Sequence, residues 1–164
     1  ALRRLEQERL LEGTGKGSLV LGITEHGLED IMSIRERTEG LAAYYATINM
    51  TEEGRKELAH IVDLQDFYYS KGDSEHLRQV DDEFHSLICR LSRRSVLVDT
   101  LIPLHRKTRR YRRISMENKA RSAKTMKEHR AMYEAIISGN AELAMELTTQ
   151  HISNAKIHMM GGVK

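Results

Sequence analysis

The sequence predicts an all-α fold, an antiparallel bundle of helices, from three observations. Proline, which helix interiors exclude, occurs once in the 164 residues, at Pro103. From Gly27 onward, apolar residues recur at helical spacing between charged ones. Hydrophobic residues make up 40% of the chain and charged residues 30%, which is typical of a globular domain with a core of its own.

The first 24 residues differ in character from the rest. Residues 1–11 place leucines near helical spacing, and Gly13, Gly15 and Gly17 then separate short apolar runs. Because glycine reaches positive φ without a steric penalty, this pattern predicts a helix end followed by a short β-hairpin. We therefore expect two parts, residues 1–24 and a helical domain over residues 25–160.

Six helical segments are predicted in the second part. Thr51 is a candidate N-cap of one helix, since its hydroxyl can accept a hydrogen bond from a free N–H. Ser138-Gly139-Asn140 is so short a connection that the helices on either side must run antiparallel. The predicted segments are approximately 28–49, 51–70, 77–91, 95–116, 118–138 and 141–158.

Charge and cysteine content narrow the functional classes. A net charge of +2 neither demands nor excludes nucleic acid. The single cysteine, Cys89, cannot form an internal disulfide and fits a reducing compartment. No segment approaches the roughly 18 consecutive apolar residues of a membrane span. The expected location is cytoplasmic, without membrane attachment.

Four residues form a candidate metal site. Asp81 and His85 are four positions apart, which places them on one face of a helix. His129 precedes Gly139 by ten residues and His151 follows it by twelve, so in an antiparallel hairpin both lie at nearly the same level. Three helices would thus bring three imidazoles and one carboxylate together. A polar, hydrogen-bonded core without metal is the alternative that spacing leaves open.

The donor set indicates which metal such a site would hold. Three imidazoles and a carboxylate suit one divalent transition metal per chain, with zinc first and nickel, manganese or iron as alternatives. A coordination sphere larger than four would leave positions for water or for a ligand carboxylate.

Several motifs resemble one known family. Asp81-Asp82-Glu83-Phe84-His85 resembles the D-x-x-F-H motif of the FadR-type C-terminal (FCD) domain of GntR-superfamily transcription regulators. The segment from Glu128 to His151 resembles the closing helix pair of that domain, and Ser33 to Ala46 resembles its first helix. Residues 1–20 resemble the end of a recognition helix and the glycine-rich wing of a winged-helix domain.

The resemblance carries further expectations. It implies a bundle of six or seven helices, a metal on Asp81, His85, His129 and His151, and a homodimer. It also implies a small effector, usually an organic acid, beside the metal. Operator DNA would be contacted through the winged helix, most of which is missing from this chain.

Individual residues have competing interpretations. Arg35 falls on a stripe that should be buried, where the expected roles are a pair with Glu39, a clamp on the effector's carboxylate, or both together. Asn154 is a candidate for the same cavity, and Lys16 and Gly17 are candidates for touching DNA backbone. An arginine run over residues 106–113 is interpreted as a solvated face with one inward-pointing arginine.

The remaining histidines are expected on the surface. They are His26, His60, His76, His105 and His158.

Three functions are compatible with these residues. The leading one is a regulator whose effector, a carboxylate bound at the metal and Arg35, tunes dimeric DNA binding. A metal-dependent enzyme could use the same ligands to activate water. Against it, no general base accompanies them, since Glu83 should point away from the Asp81–His85 face. The third is a sensor without metal, or a pure dimerisation module.

Overall fold

A computed structural model describes residues 11–14, 17–20 and 23–161, except the side chains of residues 11–20, 25 and 113–116. Six helices make up almost all of the longest described range. They are α1 (Glu25–Ile48), α2 (Glu52–Lys71), α3 (Ser74–Leu91), α4 (Ser95–Glu117), α5 (Lys119–Ile137) and α6 (Ala141–Gly161).

Local side-chain chemistry sets where the helices begin and end. The Thr51 hydroxyl accepts a hydrogen bond from the N–H of Gly54 at 3.1 Å, which confirms the predicted cap of α2. That helix ends at Gly72, whose φ of 69° is left-handed. Gly139, with a φ of 79°, closes α5, and Asn140 then caps α6. Pro103 lies inside α4 without ending it.

Two short strands precede the helices and lie outside their bundle. Strands β1 (Leu11–Thr14) and β2 (Gly17–Val20) pair antiparallel with each other, and within the described ranges neither contacts a helix. Residues 23–161 contain no strand. The prediction of an all-α bundle is confirmed, with six helices. The expectation that a hairpin wing belongs to this fold is wrong, because residues 23–161 are helices and their connections alone. Glycine spacing predicts a local turn but not what the turn packs against.

The predicted helix end cannot be followed through the first segment. Residues 1–10 lie outside the described residues, and Leu11, which was assigned to that helix end, is the first residue of β1.

Helix α1 is the centre of the bundle. It packs most extensively along α6 and also contacts α3, α4 and α5. Because neighbours surround it on several sides, its buried face is wider than the predicted stripe. Leu28 and Ala42 are fully buried as expected, and Met32 and Ala43 are fully buried as well.

Two apolar clusters hold the bundle together around the polar centre. The larger one joins α1, α2, α3, α5 and α6 and includes Leu58, Phe84 and Met132. A smaller one packs Leu28 and Met32 at the start of α1 against residues 152–159 of α6. The polar cluster described next lies among these helices.

Candidate metal and effector site

Three histidines from three helices meet in the core. His85 on α3, His129 on α5 and His151 on α6 each offer a ring nitrogen, and these nitrogens all lie within 4.8 Å of one another. The Nε2 atoms of His129 and His151 are 3.3 Å apart. All three side chains are buried. The predicted convergence of these histidines is therefore present in the structure.

The carboxylate of Asp81 faces this histidine cluster. Its Oδ1 lies 3.8 Å from Nε2 of His129. Within the described part of the chain, neither oxygen has a hydrogen-bond partner, although Nη1 of Arg112 approaches Oδ2 at 3.2 Å. Burial raises the pKa of Asp81. A buried carboxylate without hydrogen bonds is costly, and a cation among the imidazoles would relieve that cost.

Each imidazole has a polar partner at Nδ1, on the side of the ring that faces away from the other two histidines. Nδ1 of His85 lies 3.2 Å from Oε2 of Glu39, and Nδ1 of His151 donates to Oε2 of Glu128 at 2.7 Å. Nδ1 of His129 lies 3.2 Å from the side-chain amide oxygen of Gln65, which can accept its proton, and 3.0 Å from the amide nitrogen. Holding Nδ1 leaves Nε2 free to face the cluster, which is the arrangement that orients histidines on a metal.

The protonation states of His85 and His129 also favour metal binding. Burial holds the pKa of His85 well below its usual value, and burial together with the other two histidines does the same for His129. Neutral imidazoles have the free electron pair that a metal requires. The three histidines could therefore hold a divalent metal ion, with the Asp81 carboxylate beside His129.

Glu39 is the central acceptor of the polar network beside the histidine cluster. Its Oε1 accepts hydrogen bonds from Nε of Arg35 at 2.5 Å and from Nε2 of His105 at 2.9 Å. Although burial opposes it, the positive charge of Arg35, reinforced by His105, holds the pKa of Glu39 well below its usual range. The Arg35–Glu39 pair expected from the sequence is present, and Thr108 also accepts from Nη1 of Arg35 at 3.0 Å.

A small cavity opens beside the cluster. Its volume is about 20 Å³, and Arg35, Asp81, Arg112, Arg121 and Thr125 contribute to its lining. That volume admits about one water-sized species. A larger ligand would enter only if some of these side chains moved.

Several residues of the site were not singled out from the sequence. His105, expected on the surface, is buried against Glu39; that expectation was wrong. Arg112 is the inward-pointing member of the arginine run, in contact with Asp81. Glu128 could have been found from its position directly before the candidate ligand His129. Nothing in the sequence pattern of α2 marked Gln65.

The other candidates lie elsewhere. Asn154 donates to Oε1 of Glu128 at 2.8 Å, so it braces a histidine partner and does not line the cavity. His158 is half-buried, although it was expected to be exposed. Gly17 begins β2, and Lys16 lies outside the described residues. His26, His60 and His76 are exposed, as expected.

Fold and site together define a helical domain with a buried cluster of potential metal ligands. The FCD domain family matches residues 30–154, so the chain belongs to the FCD domain family. The predicted resemblance is thereby confirmed. No match was found among curated protein sequences.

Solved structures share this fold. Escherichia coli McbR/YncC superposes with a TM-score of 0.86 at 19% identity, over 99% of this chain and 82% of that one. A GntR transcriptional regulator from Rhodococcus sp. RHA1 gives 0.76 at 18% identity, over 98% and 77% of the two chains. Streptococcus agalactiae GntR gives 0.68 at 19% identity, over 94% and 78%.

The family assigns the chain to transcription regulation. An FCD domain of the GntR type is part of a regulator and not of an enzyme, so the enzyme alternative is set aside. None of the described helices combines the length and apolar character needed to cross a membrane.

Proposed function

We propose that this chain is the sensing part of a metal-dependent, small-molecule-responsive transcription regulator. One divalent transition metal would be held by Asp81, His85, His129 and His151. A single observation carries the proposal: three buried imidazoles from three helices, each with a partner at Nδ1, lie beside a buried carboxylate that has no hydrogen-bond partner among the described residues. Bound there, the metal would supply a fixed positive charge for an anionic effector.

The donor set supports zinc first, with nickel, manganese or iron as alternatives. Zinc accepts three nitrogens and one oxygen in a tetrahedron. The other metals prefer larger coordination spheres, which would leave positions for an effector's oxygen atoms.

The effector is proposed to be a small carboxylate bound at the metal and at Arg35. A guanidinium matches a carboxylate with two parallel hydrogen bonds. Arg35 is now engaged by Glu39 and Thr108, so an effector would compete with these two groups. Asn154 would join the effector only after leaving Glu128.

The packing of α6 against α1 suggests how effector binding would change DNA binding. His151 lies on α6 one turn before Ala155, which packs in the same cluster as Leu28 and Met32 at the start of α1. Residues 1–24, which precede α1, are proposed to belong to the DNA-binding part, with Lys16 and Gly17 touching DNA backbone. In a homodimer, an effector that favours one placement of α6 would shift operator binding, provided its affinities for the two states differ.

Metal content is the first test. The protein would be purified without a histidine tag or chelator, beside His129→Ala and the control His60→Ala, whose residue is exposed on α2. Elemental mass spectrometry should find about one transition metal ion per chain in the wild type and the control, and none in His129→Ala. Absence of metal from all three, even after incubation with zinc, nickel or manganese, would exclude the four-ligand site.

Effector binding is tested on the metal-loaded protein with citrate as the first probe. A thermal shift in the wild type that is lost in Arg35→Gln supports the carboxylate clamp. A shift that survives in both Arg35→Gln and metal-free His129→Ala would place the carboxylate elsewhere.

A further inference from the structure

A groove on the surface, separate from the buried cavity, runs between α3 and α4. Arg78 and Arg90 line it from α3, and Arg106 and Arg109 line it from α4. Its volume is about 440 Å³, within the range of small-molecule sites. The described lining is almost wholly polar, with Ile102 as its apolar member, so the groove does not suit an apolar ligand.

The charges in the groove do not balance. Four arginines face two carboxylates, Asp82 and Glu83. Asp82 is already engaged, since Arg112 donates to its Oδ1 at 2.8 Å and Nε of Arg109 lies 2.9 Å from its Oδ2.

Positive groups therefore remain unpaired. Within the described part of the chain, Arg90 and Arg106 have no ion-pair partner. Arg78 is paired with Glu75 at 2.6 Å and lies 3.8 Å from Asp82, but its buried Nε has no hydrogen-bond acceptor among the described residues. Unpaired guanidinium groups around one concavity form a site for an anion with several oxygen atoms, which arginine binds bidentately.

We propose that this groove binds a small multivalent oxyanion, one carrying at least two phosphate or carboxylate groups. A single charge would compensate only one of the two arginines without an ion-pair partner, Arg90 and Arg106. The volume of about 440 Å³ suits a small molecule of this kind.

The groove is also connected to the buried cluster. Arg112 contacts Asp82 at 2.8 Å and Asp81 at 3.2 Å, so one guanidinium joins the two neighbouring carboxylates. An anion that drew Arg109 away from Asp82 would leave Asp82 to Arg112 and to the more distant Arg78, at 3.8 Å. The groove therefore has a direct path to the candidate metal ligand Asp81. The anion site itself does not depend on a metal being bound.

Calorimetric titration with pyrophosphate at low salt tests the proposal. The double variant R90Q/R106Q should bind pyrophosphate about tenfold or more weakly, because two charge-assisted contacts are lost. The matched control R37Q/K107Q removes two exposed cations that do not line the groove, and it should stay within about twofold of wild type. Circular dichroism would verify that both variants are folded.

Further arms separate this site from the buried one. His129→Ala should bind pyrophosphate like the wild type; loss of binding there, with R90Q/R106Q unaffected, would overturn the proposal. Tricarballylate replaces pyrophosphate in a second titration, and whichever anion shows the arginine dependence identifies the ligand as phosphate or carboxylate. If neither anion binds, or if only random duplex DNA shows that dependence, the small-anion site is wrong.

Discussion

At the scale of the residue, Glu39 holds more of the polar centre in place than any of the proposed ligands. It accepts hydrogen bonds from Arg35 and His105, and its other oxygen lies 3.2 Å from His85. Replacing it by glutamine keeps the shape but leaves Arg35 as a buried charge without a counter-ion. Such uncompensated charges typically cost about 3–5 kcal/mol.

We therefore predict that Glu39→Gln lowers the free energy of unfolding by about that amount. Urea unfolding in the presence of a chelator measures this without any contribution from bound metal. Glu36→Gln is the control, since Glu36 lies on the same helix, 3.7 Å from Lys156 in a partly exposed pair, and should cost less than about 1 kcal/mol. Equal losses in the two variants would contradict the role given to Glu39.

At the scale of the element, the close approach of α1 and α6 depends on a glycine. A Cβ at Gly40 would lie 2.8 Å from the backbone carbonyl oxygen of Met145, which cannot move aside as a side chain can. Glycine to alanine within a helix normally adds up to about 1 kcal/mol of stability. At Gly40 we predict the opposite sign, a loss of about 1–3 kcal/mol through overpacking.

Gly54 in α2 offers the comparison. A Cβ there would meet the end of the Leu91 side chain, which can rotate away, so Gly54→Ala should lose less than Gly40→Ala. Thermal unfolding of both variants decides the matter. A stabilised Gly40→Ala would show that the two helices can separate at little cost.

The helices also show how much of the fold and of the site could be predicted from the sequence. Periodicity and capping residues such as Thr51 placed all six helices, because these signals are local. The level of His129 and His151 followed from counting residues on either side of one turn. His105 and Gln65 could not be found this way, since their partners, Glu39 and His129, lie on other helices. The pairing of such groups is decided by packing, which spacing alone does not determine.

At the scale of the whole molecule, an exposed apolar stripe on α1 is the surface we expect in the proposed homodimer. Ile34, Leu41 and Ile48 recur every seven residues and are 45%, 39% and 57% exposed. This interval keeps them on one face, where a second copy could bury them. We predict that Leu41→Arg converts a dimer into a folded monomer, measured by light scattering.

The control for that experiment is Phe67→Arg. Phe67 is 51% exposed on α2 and lies outside the stripe, so this variant should keep the mass of the wild type. A Leu41→Arg protein that remains dimeric would place the interface elsewhere.

The packing of α1 against α6 also determines when the helical bundle can form during synthesis of the chain. Leu28 and Met32 emerge from the ribosome early, whereas Ile152, which covers them, is among the last described residues to appear. Contacts between such distant segments pay the full loop-closure cost before they contribute stability. The apolar side of α1 must therefore stay uncovered until α6 has been synthesised. His151 arrives on the same helix, so the histidine cluster is assembled in the step that closes the fold.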